Sequence, residues 1–174
     1  MRTRRPSFII TGPRRAGKST LCMDILQYLK NNNKDAGGVI TPQNSIRWMY
    51  FVRDDRKIRF EAKKGEEYLQ VGKFHIHKAN MQQAITHIEK SLGTEYLFID
   101  EIGILELNMG GFYPVLEKAF SRKQGNIFVV RESLVENILD SYDFNNSFQI
   151  IRVKKSQYKK SLDFIKSEVG KCLS

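Results

Sequence analysis

A glycine-rich loop that ends in a lysine and a hydroxyl side chain lies close to the start of the chain. Gly12, Gly17, Lys18 and Ser19 have the spacing G-x-x-x-x-G-K-S, which is typical of a loop that binds phosphate groups. Glycines let the backbone curl until successive N–H groups point inward, and the following helix directs its positive dipole end to the same concavity. The sequence therefore predicts a nucleotide-binding loop made of Gly12, Pro13, Arg14, Arg15, Ala16, Gly17, Lys18, Ser19 and Thr20.

Two side chains of this loop carry groups suited to phosphate chemistry. We expect the Lys18 ammonium to contact the β- and γ-phosphates, and the Ser19 hydroxyl to bind a Mg²⁺ ion that these phosphates share. Lys18 is therefore a candidate catalytic residue and Ser19 a candidate metal ligand, with Mg²⁺ as the expected cofactor.

Two adjacent acids, Asp100 and Glu101, follow the apolar run of residues 96–99. If that run is a buried parallel strand, both carboxylates stand at its carboxyl end, where ligands of such sheets bind. Asp100 is predicted to hold Mg²⁺ through a coordinated water, as a hard oxygen ligand. Glu101 either accepts a proton from the water that attacks the γ-phosphate or orients that water. This adjacent acid favours hydrolysis over simple binding.

Phosphoryl transfer also needs a cation near the transferring group, and a well-placed arginine contributes about 10³ to 10⁵ in rate. Arg131 follows the fourth apolar run, at the expected end of the sheet, and is a candidate catalytic residue. Arg15, in the loop itself, and Lys73, in a Val-Gly-Lys-Phe turn, are the alternatives.

Two further groups have more ordinary explanations. His75 and His77 are predicted to lie on one face of a strand or turn rather than in a metal site, because no third ligand is nearby in the sequence. Trp48, Tyr50 and Phe51 are better explained by packing against the sheet than by stacking on a base.

Short apolar, β-branched runs alternate along the chain with segments of helical periodicity. The runs are near-continuous, as expected for strands covered on both faces, and occupy residues 8–11, 38–41, 96–99, 126–130 and 148–153. Apolar residues at helical spacing predict helices within residues 21–29, 81–92, 112–120 and 158–169. Ser133 with Glu136 predicts a capping box that opens a shorter helix.

This alternation predicts right-handed crossovers and a parallel sheet with helices on both faces. Residues 47–52 and 58–62, on either side of the turn-like Arg53-Asp54-Asp55-Arg56, predict an antiparallel hairpin after the second strand. The predicted fold class is α/β, with three layers, a mainly parallel sheet of about five strands and an added antiparallel β-hairpin.

The composition indicates one domain, residues 1–174, because 41% hydrophobic residues in a chain of this length bury one core and scarcely two. No run approaches the about 20 apolar residues of a membrane span. Two cysteines at no metal or redox spacing suggest a cytoplasmic protein. The formal net charge of +10 suits a polyanionic partner or the solvated face of an enzyme with an anionic substrate. The second explanation is preferred, because the basic segments form no recognisable nucleic-acid module.

Four segments together resemble one family. They are residues 12–21, residues 37–41 (Gly-Gly-Val-Ile-Thr), residues 71–74 and, above all, residues 99–107 (Ile-Asp-Glu-Ile-Gly-Ile-Leu-Glu-Leu). They resemble the small nucleoside-triphosphatase family known from thermophiles and, in animals, as cancer-related nucleoside triphosphatase. The resemblance implies a RecA-like P-loop NTPase fold. It also implies slow, Mg²⁺-dependent hydrolysis of several nucleoside triphosphates, ATP and GTP among them, to the diphosphate and phosphate.

The resemblance also assigns residues to the site. Gly12, Gly17, Lys18, Ser19 and Thr20 are matched to the phosphates and the metal, and Asp100 and Glu101 to the metal and the water. Glu106 is implied as a further site carboxylate of undefined role.

Two departures from the family pattern indicate a divergent member. The family's loop usually has glycine where this chain has Arg15, a change that other phosphate loops accept. The segment after Thr41 usually continues with an acidic residue, Val and Arg, whereas this chain has Pro42-Gln43-Asn44-Ser45. The second departure leaves base recognition open.

Two other functions remain open at this point. A nucleoside or nucleotide kinase that uses ATP would need an acceptor pocket and usually an arginine-rich lid, and the segment after Val130 is short and acidic. A nucleotide-dependent switch that binds RNA or DNA is suggested by the basic charge of the predicted C-terminal helix. The sequence does not indicate the oligomeric state.

Overall fold

The structure is a computed structural model that describes residues 4–42, 47–142 and 147–172. Its strands are β1 Ser7–Thr11, β2 Ala36–Ile40, β3 Trp48–Phe51, β4 Arg56–Arg59, β5 Tyr68–Val71, β6 Phe74–His77, β7 Tyr96–Ile102, β8 Gly125–Val130 and β9 Phe148–Arg152. Its α-helices are α1 Lys18–Asn31, α2 Lys78–Lys90, α3 Ile104–Leu107, α4 Tyr113–Ser121, α5 Val135–Ser141 and α6 Tyr158–Gly170.

The main sheet has the strand order β4-β3-β2-β7-β8-β1-β9. β2, β7, β8, β1 and β9 run parallel, and β3 and β4 form an antiparallel hairpin that extends the sheet beyond β2. The prediction of a mainly parallel sheet with an added hairpin is therefore confirmed. This order brings the carboxyl ends of β1, β7 and β8 together, which places the segments after Thr11, Asp100 and Val130 at one edge.

Helices cover both faces of the sheet because the strands are apolar on both sides. On one face, α1 and α6 pack through residues such as Leu21, Ile25 and Ile165. On the other face, α2, α4 and α5 pack through residues such as Ile88 and Leu116. The result is the three-layer α/β architecture that the sequence predicts.

A second hairpin, formed by β5 and β6, was not predicted. Leu69 pairs with Ile76 and Val71 with Phe74 across the Gly72-Lys73 turn. The alternation of apolar and polar residues on either side of a glycine-containing turn is a hairpin signal, but here it spans only four residues in each strand.

Two local predictions differ from the structure, and one short element was not predicted. β7 continues to Ile102, so Asp100 and Glu101 lie within the strand, whereas the apolar run of residues 96–99 predicts a strand that ends before them. Ser133 does not cap a helix, because it lies inside a 3₁₀ turn, Glu132–Leu134, and the residue before α5 is Leu134. The four-residue helix α3 after Gly103 was not predicted, since so short an element leaves almost no periodicity to detect.

The histidines and aromatic residues of the two hairpins have structural roles. His77 accepts a hydrogen bond from the Asn80 N–H at the start of α2, and His75 stacks on Tyr68. Tyr50 and Phe51 are buried against the sheet. Among the described residues, no helix is both long enough and apolar enough to cross a membrane. The unusual segment Gln43-Asn44-Ser45 lies outside the described residues.

Candidate active site

The glycine-rich loop connects β1 to α1, as the motif requires. Gly17 precedes the first turn of α1 with φ 96°, and Gly12 has φ 139°. A Cβ atom on Gly12 would lie 2.4 Å from the Val153 carbonyl oxygen, so only glycine fits between the loop and the segment after β9. The shape of the loop therefore depends on glycine at these two positions, because their positive φ values are unfavourable for residues with a side chain.

Lys18 folds back over the loop. Its Nζ donates hydrogen bonds to the carbonyl oxygens of Gly12 and Pro13, at 3.0 and 2.9 Å. These contacts hold the ammonium over the concavity of the loop, where phosphate oxygens would replace the carbonyl acceptors.

Asp100 is buried at the carboxyl end of β7, with 2% of its surface exposed. The Thr41 N–H donates to its Oδ2 at 3.1 Å. The pKa of Asp100 is raised to about 7, chiefly by burial and also by the charge of Glu101, although Ser19, Thr41 and Lys18 oppose the shift. A carboxylate in this position is stabilised by a cation.

The donor set at this point fits Mg²⁺. The Ser19 hydroxyl and the Asp100 carboxylate are hard oxygen donors, and Ser19, at the phosphate loop, is near enough to Asp100 to lower its pKa. Ser19 and Asp100 are therefore the residues that would hold the ion, with phosphate oxygens and water as its other ligands.

Glu101 and Arg131 form an ion pair at the mouth of the loop. The Arg131 Nη2 lies 3.4 Å from the Glu101 Oε1. The β7–β8 register shifts between Asp100 and Ile102, so Glu101 stands at an irregular position of the strand, which is a common way to redirect a side chain. The backbone N–H of Arg131 donates to the Ile102 carbonyl oxygen, and this bond fixes the start of the segment after β8.

The loop and Glu101 open onto shared clefts. One cleft is lined by residues 15–20 together with Glu101, and a second by Gly12, Pro13, Arg14 and Lys18 together with Glu101 and Arg131. We call these two adjoining clefts the phosphate cleft. The structure thus brings the predicted loop residues together with Asp100, Glu101 and Arg131.

Arg47 is a cation of the cleft that the sequence did not single out. Its guanidinium lies 3.6 Å from the centre of the Phe74 ring and 3.5 Å from the Glu61 carboxylate. Burial lowers the pKa of Arg47, and the charges of Arg14 and Arg131 lower it too. Nothing in its sequence context distinguishes Arg47, because only the folding of two hairpins brings it to the phosphate loop.

Glu106 and Lys73 are placed differently from the other candidates. Glu106 is buried, and its carboxylate accepts hydrogen bonds from the backbone N–H groups of Gly103 and Phe112, at 2.7 and 2.9 Å. Glu106 therefore fixes the loop around α3. Lys73 is at the tip of the β5–β6 hairpin, with its Nζ 5.5 Å from the Phe74 ring centre, and does not line the phosphate cleft.

Several known proteins resemble this chain in sequence. A family model described as NTPase matches residues 7–165. The nucleoside-triphosphatase THEP1 of Methanopyrus kandleri is 27% identical over 138 residues, which cover 71% of this chain and 72% of that protein. The protein of the same name from Methanothermobacter thermautotrophicus is 28% identical over 137 residues, which cover 75% and 79%.

Two solved structures share the fold. THEP1 from the hyperthermophile Aquifex aeolicus has a TM-score of 0.73 at 20% identity, over 91% of this chain and 96% of that one. A human cancer-related nucleoside triphosphatase has a TM-score of 0.71 at 19% identity, over 95% and 98%. At these identities, the two structures establish a common α/β fold.

Proposed function

This chain belongs to the NTPase family, and on that premise we infer that it is a nucleoside-triphosphate hydrolase. The names of three relatives, all nucleoside-triphosphatases, support this inference. We further propose that the reaction depends on Mg²⁺, is slow, accepts ATP, GTP and other bases, and yields the diphosphate and phosphate.

The single observation that carries the proposal is the shared cleft of the phosphate loop and Glu101. Glu101 lines both parts of the phosphate cleft. The Ser19 hydroxyl and the Lys18 ammonium both lower the pKa of the adjacent Asp100. A bound triphosphate would therefore have its γ-phosphate next to a carboxylate that can receive a proton.

Each residue has a defined part in the proposed reaction. The N–H groups of residues 12–20 and the Lys18 ammonium bind the phosphates. Glu101 accepts a proton from the attacking water or orients it, and Arg131, already paired with Glu101 at 3.4 Å, stabilises the charge that develops. Mg²⁺ held by Ser19 and Asp100 would neutralise negative charge on the phosphate oxygens.

Replacement of the carboxylate by an amide tests this assignment. We expect Glu101→Gln to lower the rate of phosphate release from ATP about 10² to 10⁴-fold, because an amide cannot accept the proton. Nucleotide affinity, measured by equilibrium titration, is expected to persist. Glu117→Gln on the exposed face of α4 is the matched control. Unchanged phosphate release in Glu101→Gln would overturn the role of Glu101.

Other expectations stay predictions. A nucleotide-dependent switch that binds RNA or DNA would show an affinity that falls steeply with salt. Low base specificity and a cytoplasmic location also stay predictions.

A further inference from the structure

A second cavity adjoins the phosphate cleft. It has a volume of about 90 Å³ and shares Glu101, Arg131 and Arg47 with the cleft. No residue of the phosphate loop is among the described residues that line it. Its other walls come from Asp100 and Thr41, from the two hairpins, from α2 and from the segment around α3. Glu101 therefore stands between two compartments.

This cavity is larger than a hydrolytic water needs, and its lining includes apolar side chains. One water occupies about 10–15 Å³ on this measure, several times less than the space present. The walls combine polar and charged groups with apolar side chains, and the apolar ones include Phe60, Val71, Ile76, Met81, Leu105 and Phe112. Apolar and aromatic walls with a few convergent polar groups are typical of a site for a small organic molecule.

The charges around the cavity favour a neutral occupant. The Arg47 guanidinium is paired with Glu61 and stacked on Phe74. Arg131 is paired with Glu101. Glu106 has both carboxylate oxygens bonded to backbone N–H groups, and the Asp100 carboxylate accepts a hydrogen bond from the Thr41 N–H. Among the residues that the cavity shares with the cleft, Glu101 is the carboxylate, and a carboxylate is suited to accept a proton from a hydroxyl group.

We propose that this cavity binds a small, uncharged alcohol that carries an apolar ring, and that its hydroxyl group replaces water as the acceptor of the γ-phosphoryl group. The proposal rests on the proposed function, because it uses the same triphosphate site. The acceptor oxygen forms a bond to the γ-phosphorus, and its proton passes to Glu101. The bond from the γ-phosphorus to the β–γ bridging oxygen breaks, and its electron pair leaves with the nucleoside diphosphate. The products are a phosphate monoester and the diphosphate.

The test supplies the wild-type protein with γ-phosphate-labelled ATP, Mg²⁺ and, in turn, thymidine, adenosine or benzyl alcohol. Glycerol, an alcohol without a ring, is the comparison. Labelled phosphate monoester and labelled free phosphate are separated and quantified in each reaction. We expect labelled ester with at least one of the three ring-bearing alcohols, and much less with glycerol.

Matched variants on α3 connect the activity to the cavity. Ile104 lines the cavity and Leu107 does not, although both are partly exposed apolar residues of the same helix. We expect Ile104→Trp to lower ester formation about tenfold or more by obstructing the cavity. Leu107→Trp is expected to retain ester formation. Met81→Trp, which fills the cavity from α2, is a second variant with the same expected loss.

The outcomes separate this proposal from the proposed function. Normal phosphate release without ester from any of the three ring-bearing alcohols overturns the acceptor site and leaves hydrolysis standing. Equal ester formation in Ile104→Trp, Met81→Trp and Leu107→Trp also overturns it. The absence of phosphate release from the wild type without any alcohol contradicts the proposed function instead.

Discussion

Gly12 is the residue at which the phosphate loop tolerates a side chain least. Its φ of 139° is strained for any other residue, and an added Cβ atom would meet the Val153 carbonyl oxygen at 2.4 Å. Val153 itself is hydrogen-bonded to Thr11, so the obstructing backbone is fixed to the strand before the loop. Neither partner can move away without breaking the β1–β9 pairing.

We expect Gly12→Ala to lower the free energy of unfolding by about 1–3 kcal/mol or more, from backbone strain and from the clash. Chemical denaturation measures this change. Gly93→Ala is the matched control, because nothing lies within 4 Å of its added Cβ atom. Equal stability of the two variants would contradict the close approach of the loop to Val153.

Arg15 adopts a conformation that glycine would adopt without strain. Its φ is 61°, in the left-handed region, at the position where the family resemblance leads one to expect glycine. Arg15 therefore keeps the backbone conformation expected of glycine at this position, although a residue with a side chain is strained there.

Glu106 makes stability depend on pH. Burial raises its pKa to about 7, and the N–H groups of Phe112 and Gly103 reduce the shift without cancelling it. The folded chain therefore binds more protons than the unfolded chain between the ordinary pKa of a glutamate and about 7. The stabilising contribution of protonation is complete at low pH and is lost as the pH rises through about 7.

We expect the free energy of unfolding of the wild type, relative to Glu106→Gln, to fall by up to about 3 kcal/mol as the pH rises from 4 to 8. Urea denaturation of both proteins across this range is the measurement. Asp100 shifts in the same direction, but it is present in both proteins and so cancels in the difference. A difference that does not vary with pH would contradict the raised pKa.

At the scale of the elements, α6 supports the phosphate loop from behind. The Tyr158 hydroxyl, at the first residue of α6, donates to the Asp24 carboxylate of α1 at 2.6 Å. The Tyr158 ring lies 3.4 Å from the position of a Cβ atom on Gly17. The last helix of the chain is thereby attached to the helix that presents Lys18 and Ser19.

Loss of this attachment has a predictable effect. We expect Tyr158→Phe to lower the free energy of unfolding by about 1–2 kcal/mol, because Asp24 loses a charge-assisted hydrogen bond. Thermal or chemical denaturation checks the value. Tyr68→Phe is the control, since Tyr68 is 50% exposed at a hairpin edge. A Tyr158→Phe protein as stable as the control would indicate that the contact contributes nothing.

The β5–β6 hairpin, which the sequence did not predict, contributes walls to both the phosphate cleft and the second cavity. Val71 and Phe74 line the phosphate cleft, and Val71 and Ile76 line the second cavity. Phe74 also stacks on Arg47, which follows the undescribed segment before β3. Two short hairpins distant from the glycine-rich loop in sequence therefore build the walls around it.

At the scale of the whole molecule, nucleotide and metal are expected to stabilise the fold together. A ligand that binds only the folded chain at 100 times its dissociation constant contributes about 2.7 kcal/mol. For a chain of this length, that corresponds to a rise in melting temperature of about 5–10 °C. We expect this rise with a non-hydrolysable ATP analogue and Mg²⁺.

Removal of the metal is the matching control. With EDTA in place of Mg²⁺, the same analogue is expected to give a much smaller rise, because Ser19 and Asp100 no longer share a cation with the phosphates. Differential scanning calorimetry measures both conditions. An identical rise with and without Mg²⁺ would contradict the metal site at Asp100.

The sequence alone determined the parts of this protein whose signals are local. Spacing and hydrophobicity over about ten residues are enough to identify the glycine-rich loop and the acids after residue 99. They also identify the apolar runs that form β1, β2, β7, β8 and β9. The order of strands and helices then required a parallel sheet, which in turn placed the loop and the acids at one edge.

Only the tertiary structure decided what depends on contacts between distant segments. It paired Arg131 with Glu101, assigned Glu106 to the loop around α3, and brought Arg47 and the β5–β6 hairpin to the cleft. These outcomes are set by strand register, by an irregularity in β7 and by side-chain packing across the sheet edge, which short-range sequence patterns do not encode. The second cavity arises from the same contacts and so has no signature in the sequence.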